Sequence, residues 1–132
     1  MAKCPILLVE DDEALRNMYQ LILSRKGYAV DMASDGEEGL KKAREGGYAI
    51  VLLDLLMPKL DGIGVLKGLK AEGPKKPNGP VILLSNAQFD HMVKDATELG
   101  AKGVLLKAGL LPADLVMAVQ GYLSENQSPI AK

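Results

Sequence analysis

Two short, unbroken apolar runs, each halted by acid, constrain this chain more than any other feature. Pro5-Ile6-Leu7-Leu8-Val9 stops at Glu10-Asp11-Asp12, and Ala49-Ile50-Val51-Leu52-Leu53 stops at Asp54. A strand with one wet face alternates polar and apolar residues; a run without alternation is buried on both faces. Between the runs, Leu15, Met18, Tyr19, Ile22 and Leu23 recur at helical spacing, and Gly27 stands where such a helix should end. The chain therefore alternates buried strands with amphipathic helices.

The remaining segments continue the alternation. Residues 28–33 read as a second strand. Ser34 offers an N-cap for a helix carrying Leu40 and Ala43, closed by Gly46-Gly47. A loop over 55–62, with Pro58 and the turn pair Asp61-Gly62, precedes a glycine-weakened helix over 63–71. Residues 74–80 hold Pro74, Pro77 and Pro80 and can be neither helix nor central strand. Strand 81–85, helix 90–99 ending at Gly100, strand 104–107 and helix 112–123 complete the pattern. From Ser124 the chain turns polar, so the expected division is one domain over 1–124 and a tail over 125–132. Alternating strands and helices predict an α/β fold: a five-stranded parallel sheet, doubly wound, with right-handed crossovers and helices on both faces.

Composition narrows the function classes. With 132 residues the chain fits one domain. A net charge of -1 argues against a dedicated nucleic-acid or membrane-surface binder, which would carry a basic excess. Cys4 is the only cysteine, so no internal disulfide forms, and a cytoplasmic setting is expected. No apolar stretch approaches membrane-spanning length.

In such a sheet, ligands bind beyond the carboxyl ends of the strands. The residues there are Glu10-Asp11-Asp12, Asp54, Ser85 and Lys107. Taken alone, an acidic run after a strand is what any helix N-terminus favours, and a lone strand-end Asp is a common turn residue. Their conjunction at one edge is another matter. Converging carboxylates repel unless a cation cancels them, and Mg²⁺ prefers such hard oxygen ligands. Asp54 is then placed to act as a nucleophile toward a phosphoryl group, with Ser85 and Lys107 contacting its oxygens.

From residue 4 to about 123 the chain resembles the receiver domains of response regulators. The resemblance lies in Leu8-Val9-Glu10-Asp11-Asp12-Glu13, in Leu53-Asp54-Leu55-Leu56-Met57-Pro58-Lys59-Leu60-Asp61-Gly62, in Val81-Ile82-Leu83-Leu84-Ser85, and in Leu99-Gly100-Ala101 before Lys107. It implies the flavodoxin-like (βα)5 fold with strand order 2-1-3-4-5. It implies Asp54 as phosphoacceptor, Ser85 as switch hydroxyl and Lys107 as phosphate partner. Mg²⁺ would be held by Asp12, Asp54 and the Leu56 carbonyl, with Asp11 acting through water. The implied donor is a sensor histidine kinase or phosphotransfer protein. An unidentified downstream protein receives the signal, and a phosphorylation-dependent dimer is left open. No DNA-binding segment follows Leu123, so a stand-alone receiver or an excised fragment is expected.

Three positions depart from the family pattern. Ala108 replaces the proline that commonly follows the lysine through a cis bond; a non-proline cis bond costs about 3 kcal/mol, so Lys107 is expected to be displaced or strained. Val104 replaces an inward-turning aromatic, and Asn86 replaces a small residue after the switch hydroxyl. These departures support an alternative, a pseudo-receiver that binds a partner independently of phosphate. A Mg²⁺-dependent phosphatase is excluded by Leu56, which stands where its second acid would be. A nucleotide-binding enzyme is excluded because the first strand leads into acids rather than a glycine-rich turn. The solitary His91 and the methionines Met18, Met92 and Met117 need no catalytic reading; a solvated histidine and core filling suffice.

Overall fold

A computed structural model describes residues 4–85 and 90–127. The order is β1 (Pro5–Val9), α1 (Glu13–Arg25), β2 (Ala29–Ala33), α2 (Gly36–Glu45), β3 (Ile50–Asp54), α3 (Gly62–Ala71), β4 (Val81–Ser85), α4 (Asp90–Glu98), β5 (Gly103–Leu106) and α5 (Pro112–Gln127). All strands are parallel, in the order β2-β1-β3-β4-β5. This is the doubly wound fold expected from the alternation.

The unbroken apolar runs are explained by two cores, one on each face of the sheet. Leu7, Val9, Val51, Leu53 and Leu83 pack with Ala43, Val65, Leu66 and Ala96 on one side. Ile6, Leu8, Ile50, Leu52, Ile82 and Leu84 pack with Tyr19, Leu23, Leu115, Val119 and Leu123 on the other. Successive side chains of a strand point to opposite faces, so β1, and β3 up to the Asp54 that ends it, need apolar residues at successive positions. Each such fully buried Leu or Ile contributes about 1.5–3 kcal/mol. Among the described residues, no helix is long and apolar enough to cross a membrane.

Several boundaries differ from the sequence reading. Asp35, not Ser34, caps α2: its Oδ1 accepts from the Glu38 N–H at 2.8 Å, and Glu38 returns the bond by accepting from the Ser34 N–H at 2.8 Å. The pair forms one reciprocal motif, and sequence alone does not say which neighbour takes the cap. Helix α5 runs to Gln127, past the division expected at 124, because no glycine or proline interrupts residues 122–127. Loop 74–80 is held against the α2–β3 connection. Asn78 donates to the Ala43 carbonyl at 2.9 Å and accepts from the Tyr48 N–H at 3.1 Å. On the edge strand β2, the Met32 carbonyl accepts from the Lys42 ammonium at 2.7 Å. Burial raises the Asp31 carboxyl, but hydrogen bonds from Lys42 and Tyr48 outweigh it and leave the group below its usual range.

Candidate functional site

The strand register builds the site. Val9 lies level with Leu53, so Glu10 emerges level with Asp54. Asp54 lies level with Leu84, which places Ser85 one step beyond it. Ser85 in turn lies level with Leu106, which places Lys107 one step beyond that. The strand ends thus form a staircase around a cleft of about 420 Å³, lined by Glu10, Asp11, Asp12, Asp54, Leu56, Ser85, Lys107 and Ala108 among others.

Electrostatics inside the cleft are dominated by two buried carboxylates and one ammonium. Glu10 and Asp54 are 0% and 4% exposed. Lys107 Nζ stands between them, 2.9 Å from Glu10 Oε1 and 3.0 Å from Asp54 Oδ2. Burial, then the hydrogen bond and negative charge of Glu10, push the Asp54 carboxyl up to about 7, against the opposing pull of Lys107. Burial lowers the Lys107 ammonium, but its bonds to Glu10 and Asp54 outweigh this and leave it above its ordinary value. The Leu56 N–H donates to Asp54 Oδ1 at 3.4 Å. Ser85 is buried at the cleft wall, and its carbonyl accepts from the Lys107 N–H at 2.8 Å.

The acids sort differently from the sequence expectation. Carboxylate oxygens of Glu10, Asp11 and Asp54 lie within 4.8 Å of one another, and this cluster could hold a metal ion. Asp12, expected as a direct ligand, lies outside that cluster and caps α1: its Oδ1 accepts from the Leu15 N–H at 3.1 Å. Its carboxylate still lines the cleft. Glu10, passed over as a ligand, takes the inner place. A signal was available: the last acid before a helical pattern is the natural cap, which moves the inward pair back by one residue.

Lys107 reaches Asp54 although Ala108 follows it. No cis peptide bond occurs among the described residues. The backbone bond to Ser85 and the ion pair with Glu10 hold the lysine in place. The Asn86 position lies outside the described residues. Val104 is on the surface, 37% exposed, and His91 is exposed on α4.

The loop after Asp54 is tightly shaped. Its Leu60 N–H donates to the Pro58 carbonyl at 2.7 Å, a γ-turn that forces Lys59 to φ 68. Gly36 at the start of α2 abuts this loop; a Cβ there would stand 1.7 Å from the Leu60 carbonyl oxygen. Lys59→Gly relieves the left-handed backbone, and urea unfolding should show a gain of about 0.5–1 kcal/mol. An unchanged or lower midpoint would show that the Lys59–Asp35 contact at 3.6 Å matters more than the strain.

A doubly wound sheet with a strand-end aspartate, neighbouring acids and a lysine at its carboxyl edge sets this chain in the class of receiver-type signalling domains. The chain matches the response regulator receiver domain over residues 6–120 and belongs to that family. It is 45% identical over 126 residues to the uncharacterized transcriptional regulatory protein YkoG of Bacillus subtilis, covering 96% of this chain and 54% of that protein. It is 40% identical over 124 residues to the alkaline phosphatase synthesis transcriptional regulatory protein PhoP of the same organism, covering 92% and 49%. The chain thus spans about half the length of the curated relatives it matches. Among solved structures, a CheY-like receiver domain protein from Methanospirillum hungatei JF-1 superposes with a TM-score of 0.82 at 27% identity, covering 98% of this chain and all of that one. A receiver domain protein from Clostridium thermocellum gives 0.80 at 26% identity, with 98% and 100% coverage.

Proposed function

We propose that this receiver takes a phosphoryl group onto Asp54 from the phosphohistidine of a sensor histidine kinase or phosphotransfer protein, in the cytoplasm, with Mg²⁺ as cofactor. The observation that carries this reading is the buried Asp54 carboxylate, 3.0 Å from Lys107 and clustered with Glu10 and Asp11. The donor set suits Mg²⁺: hard carboxylate oxygens converge in a crevice that burdens them with mutual repulsion. Asp11, Asp54 and the Leu56 carbonyl would hold the ion, with Glu10 acting through water and Asp12 at the cleft mouth. Bound there, Mg²⁺ supplies positive charge that offsets the phosphoryl oxygens.

The chain's own residues do the rest. An Asp54 oxygen forms the new O–P bond as the donor's P–N bond breaks, and the departing imidazole keeps its electron pair and takes up a proton. Lys107, already drawn toward Asp54, pairs with a phosphoryl oxygen, and the Ser85 hydroxyl donates to another. Output lies with a downstream partner. The relatives' names and greater length support a DNA-directed output outside this span.

Intact-mass analysis after incubation with acetyl phosphate and Mg²⁺ tests the reading. One phosphoryl adduct is expected, absent in Asp54→Asn and absent with a chelator. No adduct, followed by no binding of beryllofluoride to the folded protein, would replace this reading with a phosphate-independent interaction module.

A further inference from the structure

Arg16 sits in the first turns of α1, where the helix dipole disfavours a cation. Its guanidinium folds back rather than extending into solvent. Nη1 donates to the Glu10 carbonyl at 2.9 Å and reaches the Asp11 carbonyl at 3.4 Å. On the inner side of the same turn, the Asp12 N–H donates to Glu10 Oε2 at 3.1 Å. The turn leaving β1 is thus closed by a carboxylate on one side and a guanidinium on the other. Asp11's own carboxylate has no hydrogen bond or ion pair among the described residues. Its direction comes from the backbone, and the backbone is what Arg16 holds.

We infer that Arg16 is a positioning residue for Mg²⁺ binding: by clamping the Glu10 and Asp11 carbonyls it aims the Asp11 carboxylate at the cluster it shares with Glu10 and Asp54. This rests on the receiver reading above. It also makes a prediction whose sign separates geometry from charge. Removing a cation beside a cation site tightens Mg²⁺ binding through Coulomb's law alone. Loss of a clamp on a metal ligand weakens it, as outer-shell losses do.

Mg²⁺ titrations followed by amide NMR, on wild type, Arg16→Gln, Arg16→Lys and the distant Arg25→Gln, decide the matter. Arg16→Gln should bind Mg²⁺ about tenfold more weakly. The thermal midpoint should stay near that of wild type, and in the metal-free protein the Asp11 and Asp12 amides should exchange faster. Arg16→Lys keeps a donor for the two carbonyls but not the guanidinium's fixed plane and reach, so part of the clamp survives and its affinity should fall between the two; Arg25→Gln should bind as wild type does. Unchanged or tighter binding by Arg16→Gln overturns the inference. Should that variant fail to fold, wild-type affinity in Arg16→Lys overturns it instead. A wild-type protein that binds no Mg²⁺ at all removes the Mg²⁺-dependent phosphoacceptor reading and this inference together, whereas failure of Arg16 alone leaves that reading standing.

Discussion

Asp54→Asn is expected to raise the stability of the metal-free domain by about 2 kcal/mol at pH 8, with the gain disappearing toward pH 4. The direction follows from where the protons sit. In the unfolded chain the carboxyl titrates near its ordinary value of 3.8, whereas in the fold it is raised to about 7 by burial and by Glu10. Between those two pH values the folded state keeps a proton that the unfolded state has lost. Stability therefore falls as pH rises through this window, and the loss is complete above about 7. A shift of that size corresponds to roughly 4 kcal/mol at most. Asparagine removes the charge but also the ion pair with Lys107, so only part of it is recovered. Urea unfolding of both proteins at pH 5 and pH 8, with chelator, measures the effect. Parallel pH dependences would mean that Asp54 does not carry the buried charge. Saturating Mg²⁺ should reverse the order by stabilising the wild type alone.

A second large effect is expected at Leu56. This side chain lines the cleft beside Asp54, is 43% exposed, and has no polar atom with which to orient a water molecule. The phosphorylated protein should consequently lose its phosphoryl group slowly, over minutes or longer with Mg²⁺ and no phosphatase present. Leu56→Asn supplies a donor and an acceptor at the same place and should speed the loss about tenfold, a modest share of what positioned proton-transfer groups achieve. Leu56→Val, still apolar, should decay at the wild-type rate. Intact-mass time courses after removal of acetyl phosphate give all three rates. Decay within seconds in the wild type, or equal rates in all three proteins, would contradict the assignment.

The layout of this protein is written in its residue pattern. Unbroken apolar runs at Pro5–Val9 and at residues 50–53 demand strands buried on both faces, and both cores of the sheet answer that demand. Because ligand sites in such sheets lie at the carboxyl edge, Asp54, Ser85 and Lys107 were legible as a group before any geometry was known. How that edge is wired emerges from the folded geometry. Among three adjacent acids the pattern marks only the last as a helix cap; the fold makes Asp12 that cap and sends Glu10 inward to Lys107. The same holds for Lys107 itself, whose placement depends on Glu10 and Ser85 more than on the residue that follows it. Arg16 and the left-handed Lys59 left no trace in the residue pattern. The physical reason is one of scale. Periodicity averages over several residues and reports which face is buried. The site depends on single side-chain directions, and these are settled where a helix begins, where a turn tightens, and where charges meet in a space that water has left.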